Sequence, residues 1–168
     1  LARDSVRALA AETGESAFLS ARRGDETVCL LREEGSFPIR SFVLAEGVRF
    51  PLGVASAGLV ILSMLPDATV DRYLAGTDLV ALYGPSHAPE PLRHRIAATR
   101  ATGYAVNPGL VVEGSFGMGA AIFDSAGQPA WALSLTGVES RFGTERRAEL
   151  GRLLLEHAHR VSRRLADR

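Results

Sequence analysis

The segment SFGMGAAIFDSAGQPAWALSLTG, residues 115–137, decides the fold of this 168-residue chain. It contains two runs of strand-forming residues, 115–123 and 130–137, separated by a stretch rich in Asp, Ser, Gly and Pro. Two such runs around a short turn-forming stretch are typical of a β-hairpin. The sequence therefore predicts a pair of long antiparallel strands near the carboxyl end of the chain.

The two faces of this predicted hairpin differ in side-chain volume. If Ala126 and Gly127 form the turn, Gly117 faces Thr136 and Gly119 faces Ser134. Side chains alternate along a strand, so every second residue shares a face. The bulky face comprises Phe116, Met118, Ile122, Trp131, Leu133 and Leu135. The opposite face, called the smooth face below, comprises Ser115, Gly117, Gly119, Ala121, Ala132, Ser134 and Thr136.

The smooth face has two interpretations. A helix could pack unusually close to it, with the hydroxyl groups bonded to nearby backbone. Alternatively, the missing volume could form a shallow cavity in which Ser134 and Thr136 bind a small polar molecule. The turn 56–58, at the start of a predicted helix, could then add free N–H groups that attract an anion. A slip of one residue in the register would exchange the two faces.

Hydrophobic periodicity predicts the remaining elements. Because strands joined by hairpins pair antiparallel, we expect an α+β fold, with a mostly antiparallel sheet and both terminal helices packed on one face. Thr144 is predicted to cap the last helix. The predicted helices span 1–13, 55–65, 68–74, 92–102 and 144–165, the other predicted strands span 15–22, 26–32, 37–44 and 104–106, and 84–91 is predicted to be a loop.

Composition places limits on function. The chain is 46% apolar, and its 19 basic residues, all of them arginine, balance 19 acidic ones. The length predicts one globular domain over 1–168. The charge balance predicts that this domain does not itself bind nucleic acid, which normally requires a clustered basic excess. No apolar run is long enough to span a membrane. Cys29 is the only cysteine, which excludes an internal disulfide and favours a cytoplasmic protein.

The sequence contains no convincing catalytic or metal-binding motif. Ser56 lacks the glycine spacing of a nucleophile elbow. His157 and His159 lie two residues apart on a predicted helix and therefore cannot bind one ion from one face. A small hydrolase using Ser56 or Ser134 remains an alternative, but no base accompanies either serine. We therefore predict neither an enzyme nor a bound cofactor or metal.

Short motifs along the whole chain resemble one known family, the effector-binding domains of IclR-type bacterial transcriptional regulators. No single motif is specific, but their order and spacing agree from end to end. The matching pieces are Pro51-Leu52, Ala57-Gly58, Arg100-Ala101-Thr102-Gly103-Tyr104-Ala105-Val106, Glu113-Gly114, Ala120-Ala121-Ile122-Phe123-Asp124 with Gly127, Ala132-Leu133-Ser134-Leu135-Thr136-Gly137, Ser140-Arg141-Phe142 and Ser162-Arg163-Arg164-Leu165.

This resemblance implies a GAF-like fold with a curved antiparallel sheet. It also implies a winged helix-turn-helix DNA-binding domain upstream of Leu1, assembly into homodimers or homotetramers, and a small organic effector bound against the sheet. Contact with DNA would then occur only through that upstream domain. With the smooth face, the resemblance gives the predicted ligand-binding residues Phe42, Phe50, Ser56, Ala57, Asn107, Ser115, Gly117, Gly119, Ser134 and Thr136.

The chain also departs from the family pattern. Gly53, Ala55 and Leu59 stand where the family often has His, Thr and Lys. Residues 107–109 replace a common acidic pair, and Gly117 replaces a frequent cysteine. These departures predict a wider and less charged pocket, suited to an aromatic or partly apolar acid or ester.

The leading hypothesis is the ligand-sensing and oligomerisation domain of a transcriptional regulator. The alternative is a stand-alone GAF-like sensor that regulates an enzyme or a kinase.

Overall fold

Six strands form one curled antiparallel sheet in the computed structural model, which describes all 168 residues. The sheet order is β3-β2-β1-β6-β5-β4, so β3 and β4 are its edges. The predicted α+β fold is confirmed. The strands are β1 Ser16–Arg23, β2 Glu26–Glu33, β3 Arg49–Pro51, β4 Tyr104–Pro108, β5 Ser115–Phe123 and β6 Pro129–Val138. The helices are α1 Arg3–Thr13, α2 Ser56–Ser63, α3 Asp67–Gly76, α4 Val80–Tyr83, α5 Pro89–Thr102 and α6 Thr144–Ala166, with short 3-10 helices at Pro85–His87 and Glu139–Arg141.

The bulky face of the hairpin packs against α1 and α6, as the sequence predicted. Both helices are amphipathic, and their apolar sides meet the sheet because burial of these side chains removes apolar surface from water. Gly14 ends α1 in a left-handed conformation, with φ of 75°. The shared core includes Val6, Leu9, Phe116, Met118, Leu133, Leu135, Leu150 and Leu154.

The smooth face is covered by α2, with α3 and α5 packed behind it. Every residue of α2 is buried, and its side chains join a second core that includes Ala105, Ala121 and Ala132 of the sheet. The second face of the sheet is therefore covered within the chain, by α2.

The predicted register of the hairpin is confirmed. Gly117 pairs with Thr136 and Gly119 pairs with Ser134. The turn is longer than predicted, because the register shifts at Phe123, which pairs with Pro129. The Asp124 carboxylate accepts hydrogen bonds from two backbone N–H groups within this turn, which holds it in place.

Three further predictions are wrong. The predicted loop 84–91 contains the 3-10 helix Pro85–His87 and the first turn of α5, which begins at Pro89 because proline suits the first position of a helix. The segment 37–44 is not a strand, because its backbone forms no hydrogen-bonded ladder with a neighbouring strand. The strand β2 pairs instead with the short β3. Thr144 is the first residue of α6 and does not cap it, since the cap position is Gly143 and no side chain bonds there. None of the helices is both long and apolar enough to cross a bilayer.

A buried carboxylate joins the two terminal helices. Glu15, which follows α1, is 2% exposed and accepts hydrogen bonds from Arg141 and, at 3.1 Å, from Arg146 Nη1. Arg146 Nη2 also donates to the carbonyl oxygen of Thr13 at 2.6 Å. The end of α1 and the beginning of α6 therefore share one hydrogen-bonded ion cluster.

The glycines of β5 allow α2 to lie directly on the sheet. A Cβ atom at Gly119 would lie 3.1 Å from the carbonyl oxygen of Ser56, a backbone atom that cannot move alone. We expect Gly119→Ala to lower the free energy of unfolding by about 1–3 kcal/mol, because α2 must shift. Chemical denaturation measures this change.

Gly76→Ala is the matched control for this prediction. A Cβ atom at Gly76, the last residue of α3, would meet no atom within 4 Å. We expect no loss of stability from it, and alanine favours the helix slightly. Equal stability of the two variants would contradict the close packing of α2 on β5.

Candidate functional site

The first turn of α2 covers part of the smooth face. Its Ser56 lies above both glycines: a Cβ atom at Gly117 would be 3.2 Å from Ser56 Oγ, and one at Gly119 would be closer still to the Ser56 backbone. The first interpretation of the smooth face, a closely packed helix, is therefore correct at Gly119. Ser134, which pairs with Gly119, is fully buried.

The same interpretation expected the hydroxyl groups of the smooth face to form hydrogen bonds with nearby backbone, and they form none. Ser134 Oγ and Thr136 Oγ1 are buried and have no hydrogen-bond partner. Asn107 Oδ1, on β4, is a third such atom, although its Nδ2 donates to the carbonyl oxygen of Val54 at 3.0 Å. A buried polar atom without a partner destabilises a protein by about 1–3 kcal/mol. Three of them on one face therefore indicate a place for a polar molecule.

A narrow cavity of about 30 Å³ is lined by two of these residues, Asn107 and Thr136, but not by Ser134. This volume holds about two water molecules and no aromatic acid. The expectation of a wide pocket is therefore wrong for this conformation, because α2 and two irregular segments fill the space that the small side chains leave. The lining residues are Val43, Leu44, Phe50, Ala55, Ser56, Asn107, Leu110, Val111, Val112, Ser115, Phe116, Gly117 and Thr136.

Six of the ten predicted ligand-binding residues line this cavity, and four do not. Phe42 is 71% exposed, with the Arg32 guanidinium 5.3 Å from its ring centre. Ala57 belongs to the second core, and Gly119 and Ser134 lie beneath Ser56. The residues that line the cavity are Phe50, Ser56, Asn107, Ser115, Gly117 and Thr136.

Two irregular segments, 36–46 and 109–114, close the cavity, and the sequence predicted only Phe42 among their residues as part of the site. The hydroxyls of Ser41 and Ser115 lie 2.6 Å apart and join the first segment to β5. Val112, from the second segment, is 51% exposed although it lines the cavity. For 109–114, the only signal in the sequence that could have indicated a role in the site is a run of apolar residues flanked by glycines, and this run shows no periodicity.

No charged side chain lines the cavity, so its electrostatics come from the backbone and neutral polar groups. The helix α2 has Ala55 at its cap position and no side-chain cap, which leaves N–H groups of its first turn without a side-chain acceptor. These groups and the helix dipole favour a negatively charged atom at this end of the cavity.

Catalytic chemistry finds no support in this geometry. Neither Ser56 nor Ser134 is hydrogen-bonded to a histidine or a carboxylate. Burial, and then the charge of Glu46, raise the pKa of Cys29 to about 11, so its thiol stays protonated and packs in a small core. No group of three His, Cys, Asp or Glu side chains is arranged to share a metal ion.

The unpaired hydroxyls lead to a test of stability. We expect Ser134→Ala and Thr136→Val to leave the free energy of unfolding unchanged or to raise it by up to about 1 kcal/mol, because each removes a buried group that lacks a partner. Tyr73→Phe is the control: its hydroxyl donates to the carbonyl oxygen of Leu52 at 2.6 Å, and its loss should destabilise by about 1 kcal/mol. Destabilisation by all three variants would show that the two hydroxyls serve the fold.

Comparison with known proteins places the chain in a family. The sequence model of the C-terminal domain of IclR-type bacterial transcriptional regulators matches residues 1–163. The chain is 30% identical over 166 residues to the HTH-type transcriptional regulator KipR of Bacillus subtilis, covering 98% of this chain and 66% of KipR. It is 27% identical to the HTH-type transcriptional repressor AllR of Klebsiella pneumoniae, covering 94% of this chain and 58% of AllR. The chain thus spans less than two thirds of each relative.

Solved structures agree with this assignment. The crystal structure of the Thermotoga maritima IclR superimposes with a TM-score of 0.91 at 29% identity, covering 98% of this chain and 67% of that one. The family and these relatives are transcriptional regulators and not enzymes. The chain belongs to the C-terminal, effector-binding domain family of the IclR-type bacterial transcriptional regulators.

Proposed function

We propose that this domain binds a small organic acid in the cavity under α2 and so controls a cytoplasmic, DNA-binding transcriptional regulator. The observation that supports the proposal is the set of three buried polar atoms without partners: Asn107 Oδ1, Ser134 Oγ and Thr136 Oγ1. They lie on one face of the sheet, next to the uncapped first turn of α2. A domain that served only to assemble subunits would have no need of them.

The surroundings of these atoms favour a particular ligand. A carboxylate would accept hydrogen bonds from the first turn of α2, and the hydroxyl groups can both donate and accept. Phe50, Leu44 and Val111 provide apolar walls. We therefore propose an aromatic or partly apolar acid as the effector.

Such a ligand enters only if the cavity expands. The walls contributed by 36–46 and 109–114 belong to neither a helix nor a strand, so they can move without breaking the sheet. The bond between Ser41 and Ser115 holds the first segment to β5 and must break. The ligand then selects the open arrangement of these segments, which shifts the population of conformations.

The alternative of a stand-alone sensor receives less support. Both relatives reported above are named as HTH-type regulators, and the chain covers only part of each. This favours a DNA-binding domain elsewhere in the protein. We also propose assembly into homodimers or homotetramers, because dimers of helix-turn-helix proteins place two such domains on successive half-sites of DNA. No observation favours a stand-alone sensor of an enzyme or a kinase.

Isothermal titration of this chain with benzoate and related aromatic carboxylates tests the proposal. We expect saturable binding that Thr136→Val weakens by about 2–12-fold, which corresponds to the loss of one hydrogen bond from a residue that lines the cavity. Ser125→Ala, in the exposed turn after β5, is the control and should bind normally. Binding of no acid, or equal binding by all variants, would contradict the proposal.

A further inference from the structure

We propose that a second site, in the groove between α5, β4 and α6, binds the oxyanion group of a small molecule, a carboxylate or a phosphate. This groove has a volume of about 490 Å³, within the range of small-molecule sites, and is far roomier than the cavity under α2. No residue lines both. The lining of the groove includes Arg95, Tyr104, Pro108, Thr144, Arg147 and Ala148.

Two arginines on opposite walls carry the proposal. Arg95 comes from α5 and Arg147 from α6, and neither forms a salt bridge. Arg95 Nε and Nη2, and Arg147 Nε, are buried and have no hydrogen-bond partner. Among the arginines that lack a carboxylate partner, these are the only two with buried, unbonded nitrogens.

An unpaired guanidinium is costly to bury because it loses water without gaining an anion. Burial lowers the pKa of Arg95, although arginine remains protonated in proteins. The Arg147 side chain is also held in place: its guanidinium lies 5.5 Å from the centre of the Phe116 ring, and its Nη2 donates to Thr144 Oγ1 at 3.5 Å. Such preorganised guanidinium groups bind carboxylates and phosphates through paired, charge-assisted hydrogen bonds.

Uncharged groups around the arginines also suit an anion. Thr144, which lines the groove, is the first residue of α6, a 23-residue helix whose cap position provides no side-chain acceptor. Its N–H groups therefore add positive potential. The nearest acidic residues along these helices, Glu90, Glu145 and Glu149, do not line the groove.

The hydrogen-bonding groups on the free edge of β4 indicate that the groove binds a small molecule and not an added β-strand. The N–H and C=O groups of Tyr104 both contact the Thr102 hydroxyl, so they point away from β5 and are already occupied. By the alternation of an antiparallel ladder, Val106 presents the next outward pair, and Pro108, two residues further, has no N–H to donate. One free backbone pair is too few to hold a strand.

Titrations of this chain with inorganic phosphate and with acetate test the proposal. Side-chain guanidinium NMR signals report on the groove directly. We expect saturable shifts of the Arg95 and Arg147 signals with at least one of the two anions. The anion that binds more tightly identifies whether the groove prefers a phosphate or a carboxylate. Arg95→Gln and Arg147→Gln should each weaken binding about tenfold or more. Arg160→Gln, exposed on α6 and outside the groove, is the matched control and should bind within about twofold of the original chain.

Further variants make the outcome decisive. Ala148→Glu keeps both arginines but places a carboxylate on the exposed wall of the groove, so it should abolish phosphate binding even if Arg95→Gln proves unstable. Thr136→Val should leave phosphate binding intact, since the groove is independent of the cavity under α2.

The proposal fails if neither anion binds saturably, if the groove variants bind as Arg160→Gln does, or if Thr136→Val alone removes binding. The shifts must also be independent of protein concentration. Shifts that track self-association would instead assign the groove to a contact between copies of the chain.

Discussion

The close contact between the first turn of α2 and the glycines of β5 is the constraint on which the rest of the structure depends. Any side chain at Gly119 would meet the Ser56 backbone, so only glycine lets the helix reach the sheet. This contact separates two cores, one on each face of the sheet. It also reduces the space beside Thr136 to a narrow cavity and leaves its hydroxyl enclosed but unpaired.

In this arrangement the groups that could bind a ligand lower the stability of the closed domain. Apolar residues at positions 134 and 136 would pack beneath α2 without burying polar atoms that lack partners. The hydroxyl groups instead keep the closed domain slightly less stable than it could be, and a ligand that satisfies them recovers part of that loss. Because the closing segments belong to no regular element, the change can stay local while both cores remain intact.

The hairpin could be predicted from the sequence because alternation of side chains has a strict period, and one register alone collects the glycines and hydroxyls on one face. The family resemblance supplied Phe50 and Asn107, which periodicity could not. The segment 36–46 was read in part as a strand and 109–114 shows no periodicity, so the size of the cavity that they close could not be predicted. The groove was missed for another reason: Arg95 and Arg147 are separated by three strands in the chain, and the sequence gives no sign that they share a surface.

The ion cluster at Glu15 fixes the position of α1 relative to α6. Sliding α1 along α6 would strip a carboxylate that is 2% exposed of both its arginine partners, a change that proteins rarely tolerate. Arg146, which holds that carboxylate, is followed directly by Arg147 on the wall of the groove. A ligand that moved Arg147 would therefore act directly on the residue that holds Glu15, without involving the cavity under α2.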